Sequence, residues 1–82
     1  MKANIKVVVS NGFSGEVKLD ALMTARSAEV FTNNLLDTLN FAIVTVRQND
    51  SGEVLTQTGK GKQVSVPVCN ADYPAYTVDI TL

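Results

Sequence analysis

Over the last third of the chain, apolar and polar side chains alternate strictly, and nothing else in the sequence limits its fold as firmly. Val64, Val66 and Val68 interleave with Gln63, Ser65 and Pro67, and Tyr76, Val78, Ile80 and Leu82 interleave with Thr77, Asp79 and Thr81. Successive side chains on a strand point to opposite faces, so each run predicts a strand with one face for a core and one for water. The first run, Asn4 to Ser10, is rich in β-branched residues, with Ile5, Val7 and Val9 on one face and Lys6 and Val8 on the other. Asn11-Gly12, reinforced by Ser14-Gly15, signals a turn. Glu16–Asp20 then reads as a short second strand, Val17 and Leu19 inward, pairing antiparallel with the first.

The period changes after Met23. From Thr24 to Asn40, apolar residues fall at Ala28, Phe31, Leu35 and Leu39, with Leu36 beside them. Spacings of three and four make one stripe of an α-helix. Thr24 or Ser27 can cap its start, with Glu29 in the first turn if Ser27 is the cap, and Asn40 suits its end. Thr32, Asn33, Asp37 and Thr38 read as the wet side. Asn33 and Asn34 are poor helix formers, so packing rather than propensity must hold this helix.

Strand-like runs follow at Phe41–Gln48, Glu53–Thr58, Lys62–Val68 and Ala75–Leu82. Phe41 and Ile43 share one face of the first of these, and Ala42, Val44 and Val46 the other, a pattern typical of a central strand. Asn49-Asp50-Ser51-Gly52 and Gly59-Lys60-Gly61 read as turns. Pro67 has no amide proton, which places its strand at an edge or a bulge. The expected fold class is α+β: an N-terminal β-hairpin, one α-helix, then a mostly antiparallel β-meander with the helix packed on one sheet face. A ubiquitin-like grasp is one topology this order admits; the strand order itself stays open. With no linker, low-complexity segment or internal repeat to divide them, residues 1–82 read as a single domain.

Composition narrows the function classes. The chain is 45% hydrophobic and 18% charged, with a formal net charge of −1, values of a globular protein with no basic field for nucleic acid or anionic lipid. Its one cysteine, Cys69, can form no internal disulfide, and no adjacent cation cluster marks it as reactive. Lys6 and Ser10 interrupt any signal-peptide core after Lys2, and no run nears the ~20 apolar residues of a membrane span. The expectation is a cytoplasmic protein without nucleic-acid or membrane partners.

Histidine is absent, which removes the commonest general base, His-based nucleophile arrangements and His metal sites. One cysteine builds no zinc site, and the acidic residues are spread one per element with no spacing that forms a hydrolytic dyad. Thr58-Gly59-Lys60-Gly61-Lys62 invites a phosphate-loop reading. However, Gly52 precedes Gly59-Lys60 at the wrong distance, Gly61 stands in place of Ser/Thr, and a strand follows where a helix should open. A hairpin turn with solvated lysines is the simpler reading. No catalytic residue, metal or cofactor is expected.

What remains is a surface for another protein. Tyr73 and Tyr76 flank Pro74 in a loop entering a strand, and tyrosine is enriched at interfaces because it offers large area with little entropy to lose. Tyr76 also shares the alternation of an inward face. Phe13 sits at a hairpin tip between glycine turns. The expected function is a small non-enzymatic protein-binding module, such as an accessory or inhibitor protein of a virus or mobile element, with Phe13, Tyr73 and Tyr76 as contacts. The alternative is a structural subunit that self-assembles into a homo-oligomer through an apolar sheet face carrying Val8, Val44 and Val46, or through an edge strand.

Overall fold

β-branched residues facing one way build the first strand, β1 (Ile5–Ser10), whose Ile5, Val7 and Val9 are buried. A computed structural model describes residues 3–38, 43–59, 63–68 and 70–82, without the side chains of 56–59. The remaining elements are β2 (Val17–Met23), α1 (Ala25–Thr38), β3 (Ile43–Gln48), β4 (Val54–Gly59) and β5 (Tyr76–Thr81). They form one α+β unit with a five-stranded mixed sheet in the order β2-β1-β5-β3-β4. β1 and β5 run parallel at its centre, Val7 beside Val78, and all other pairings are antiparallel. This order, with the first and last strands side by side, is the grasp topology. Helix α1 contacts β1 and β2 on one sheet face.

Between the helix and that face lies the core: Ile5, Val7 and Val9 of β1, Val44 and Val46 of β3, and Val78 and Ile80 of β5, closed by Ala25, Ala28 and Leu36 of α1. The period-2 pattern on the strands therefore meets a period-3.6 pattern on the helix across one apolar layer.

Thr24 caps α1: its Oγ1 accepts from the Ser27 amide at 3.1 Å, and its carbonyl accepts from Ala28 N–H at 2.9 Å. The inner line of the helix is Ala25, Ala28, Thr32 and Leu36, with Phe31 and Leu35 half-buried beside it. Thr32, expected on the wet side, is instead fully buried. It follows Ala28 by four positions and precedes Leu36 by four, so helical geometry carries it into the middle of the buried line. Leu39, the Asn40 cap and the Phe41-Ala42 start of the next strand lie outside the described residues, as do Cys69 and the Lys60-Gly61-Lys62 turn.

The strand expected at Lys62–Val68 needs correcting. Residues 63–68 alternate in burial, with Val64 and Val66 inside, yet they join no sheet and Val68 is exposed. The helix takes the place of a neighbouring strand. Asn33 Oδ1 accepts from Val64 N–H at 2.8 Å, Asn33 Nδ2 donates to the Val64 carbonyl at 3.2 Å, and Glu29 Oε1 accepts from Val66 N–H at 2.9 Å. Buried main-chain groups must be paired, and here two helix side chains pair them. Pro67 thus interrupts no ladder.

The reading of no internal repeat needs correcting over four residues. Ser14-Gly15-Glu16-Val17 recurs as Ser51-Gly52-Glu53-Val54, and the two tetrapeptides build the same turn. Gly15 donates to the Asn11 carbonyl and Gly52 to the Gln48 carbonyl, each at 2.8 Å. Both glycines are left-handed, at φ 72° and 73°. Asn11 N–H bonds Glu16 O and Gln48 N–H bonds Glu53 O, while Ser14 and Ser51 hydroxyls accept from the Glu16 and Glu53 amides. Each turn is followed by a register shift, opposite Val9/Ser10 and Val46/Arg47. The β1–β2 and β3–β4 hairpins are therefore equivalent modules, placed on either side of β5 and pointing to opposite ends of the sheet.

Candidate functional site

No helix among the described residues covers the sheet's second face, and the strand registers arrange its side chains in three rows. One row runs Leu22, Lys6, Thr77, Arg47 and Val54; the next Asp20, Val8, Asp79 and Thr45; the third Val17, Ser10, Thr81 and Ile43. The first two rows hold the charges, and these pair: Lys6 Nζ stands 3.7 Å from Asp20 and Arg47 3.1 Å from Asp79. Such half-exposed pairs contribute about 0–1 kcal/mol each but leave the middle of the face polar. Val8 is half-buried between the two aspartates.

The third row carries no charge and ends under the β1–β2 turn. There Val17 and Ile43 are exposed, and Gly12, Phe13, Thr81 and Leu82 line a cavity of about 590 Å³. The Phe13 ring is fully exposed. Its backbone is held in place: Asn11 Oδ1 accepts from Phe13 N–H at 2.8 Å and from Ser14 N–H at 3.2 Å, an Asx turn inside the hairpin turn. Gly12 lies against the end of β5, donating to Leu82 O at 3.1 Å. A Cβ on Gly12 would stand 2.9 Å from that oxygen, so only glycine allows the approach.

The opposite end of the sheet is a knot of hydrogen bonds. Asn49 bonds the 70–77 stretch through its N–H to Ala75 O, its Nδ2 to Pro74 O and its Oδ1 from Thr77 Oγ1. This cover explains how Thr77 can be buried on an otherwise open face. Asn4, also buried, donates to Ala71 O and accepts from Ala75 N–H. Tyr73 belongs to this knot, its hydroxyl donating to Asp50 Oδ2 at 3.0 Å while its ring stays exposed.

The residues singled out from the sequence therefore do not converge. Phe13 and Tyr73 lie at opposite ends of a six-residue strand, about 20 Å apart. Tyr76 packs half-buried against the core, in line with Val78 and Ile80. Val44 and Val46 are fully buried in the core and Val8 faces the other way, so the three share no apolar face. The physical reason is that two-residue alternation shows which residues share a face, not which face the helix takes. Gly12, Thr81 and Leu82, which line the cavity with Phe13, and Ile43, opposite Thr81, carry no motif; only the pairing of β5 with β1 and β3 gathers them.

Among the described residues, no three His, Cys, Asp or Glu side chains come together to hold a metal ion, and no helix is long and apolar enough to cross a membrane. No family model matches the chain, and no curated protein or solved structure does either.

Proposed function

We propose that this chain is a small non-enzymatic protein-binding module, an adaptor or inhibitor, that docks through the Phe13 end of its open sheet face. The observation that carries this reading is a fully exposed aromatic ring on a turn whose backbone is held by Asn11 and Gly15, next to an apolar cavity. An aromatic anchor on a preorganised loop loses little entropy on binding, and anchors of this kind dominate interface energetics. Val17 and Ile43 extend the apolar patch, and the Lys6–Asp20 and Arg47–Asp79 pairs form a polar rim beyond it. The cavity beside Phe13 takes an apolar side chain of the partner. Tyr73 serves the fold in this reading, through its bond to Asp50.

The test is capture of a partner from native-host extract by immobilised wild type, Phe13→Ala and Tyr73→Phe. Wild type and Tyr73→Phe should retain the same partner and Phe13→Ala should lose it, a hot-spot truncation costing at least about 2 kcal/mol, or roughly thirtyfold in affinity. Equal capture by Phe13→Ala, or no partner above background, would sink the reading.

A further inference from the structure

The outer edge of β2 carries a charge pattern that the equivalent edge of the second hairpin lacks. Where the shared turn makes the hairpins correspond, β2 has Lys18 and Asp20 and β4 has Leu55 and Gln57. β2 is the end strand of the sheet, and among the described residues its main chain bonds only to β1. Lys18 and Asp20 are both exposed, with half-buried Leu19 between them on the core side; Asp20 faces Val8 across the ladder, while Lys18 is the extra residue at the register shift opposite Val9/Ser10. An end strand with free main-chain groups is a template for another strand, and cross-strand charges decide which strand it accepts and in which register.

We propose that β2 pairs antiparallel with β2 of a second copy about a two-fold axis at Leu19. In this register each Lys18 stands opposite the partner subunit's Asp20, so both charges are matched twice across the axis. Centring the pair on Lys18 or on Asp20 would set like charge against like, and in-register parallel pairing would do the same. Centring on Val17 would match Lys18 only with Glu16, whose carbonyl is tied to Asn11 in the turn ahead of the strand, and would bring Asp20 against Ser14 in the same turn. Centring on Ala21 would set Asp20 against Leu22 and carry Lys18 past the end of the strand, opposite Thr24. Of these registers, one alone matches both charges within the strand itself. It is also closed: the two-fold contact consumes both β2 edges and joins two sheets into one, whereas a β2-to-β4 contact would propagate without end. Of the docking patch only Val17 lies in β2, while Phe13 precedes the strand in the turn, so a change at Phe13 separates this inference from the docking role above.

Sedimentation of the wild-type protein from micromolar into millimolar concentration tests it, with Lys18→Glu and Asp20→Lys variants, each checked for fold by far-ultraviolet circular dichroism. The wild type should reach twice the 8.8 kDa chain mass. Each variant alone, with two repulsive pairs in place of two attractive ones, should dimerise about tenfold more weakly or worse. An equimolar mixture of the two variants should recover a mixed dimer, because two carboxylates on one chain then face two ammonium groups on the other. Asp20 also holds Lys6 at 3.7 Å, so Asp20→Asn, which cannot repel Lys6, serves if Asp20→Lys does not fold; it too should weaken the dimer. A wild type monomeric throughout, variants that dimerise like wild type, or folded variants whose mixture stays monomeric would each overturn the proposal. Phe13→Ala should leave the dimer unchanged, so loss of either activity leaves the other testable.

Discussion

Thr32 is the residue whose surroundings least match its chemistry. It sits fully buried in the inner line of α1, and its hydroxyl finds no hydrogen-bond partner among the described residues. Desolvating an unpaired hydroxyl costs about 1–3 kcal/mol. Thr32→Val keeps the shape and removes the polar atom, so it should raise stability by about 1 kcal/mol and the Tm by roughly 4–8 °C; a thermal melt at or below wild type would count against the burial argument. Asn33, one residue on, has the opposite character. It satisfies both main-chain groups of Val64, an amide at 2.8 Å and a carbonyl at 3.2 Å. Asn33→Ala leaves both unpaired and should cost about 2 kcal/mol in a urea titration. Asn33→Asp keeps the acceptor but not the donor, and its loss should fall between.

At the scale of elements, the two hairpins test whether one tetrapeptide carries one conformational role twice. Gly15 and Gly52 share a left-handed φ and have open space where a Cβ would go. Alanine at either position therefore meets only a backbone penalty, about 1 kcal/mol. Because the turns lie at opposite ends of the sheet, the double variant should lose the sum, to within about 0.5 kcal/mol. A markedly larger or smaller loss in chemical denaturation would mean the hairpins are not independent modules. Gly12 differs in kind: its φ is unexceptional, and what it cannot accept is a Cβ beside Leu82 O. The helix shows the same division of labour. Thr24 starts it, while Glu29 and Asn33 on its flank work as the edge of a strand would, pairing the main chain of 64–66.

For the molecule as a whole, these contacts predict a gradient of protection. β1 and β5 are paired on both sides and line the core, so their amides should exchange last. The Val64 and Val66 amides hang on two side chains, and Asn33→Ala should speed their exchange while β1 and β5 keep theirs; uniform acceleration would mean that residues 64–66 and the sheet open together. The sequence on its own determined the hairpin and the helix and sorted each run into two faces, because strand and helix periods are local properties of the chain; Val17, expected inward with Leu19, is exposed, carried to the open face by the register shift opposite Val9/Ser10. The sequence also held the Ser-Gly-Glu-Val repeat, which two similar turns make plain only once their bonds are seen. Tertiary structure alone decided that β5 lies between β1 and β3, that Val44 and Val46 meet the core, and that 63–68 bonds to Asn33 and Glu29 rather than to a strand. It also gathered Phe13, Leu82, Thr81 and Ile43 at one end and left Tyr73 at the other. The physical reason is that alternation sorts side chains into two sets but is blind to distance along the chain. Which set meets the core, and which backbone meets which partner, depends on pairings between residues that are remote in sequence.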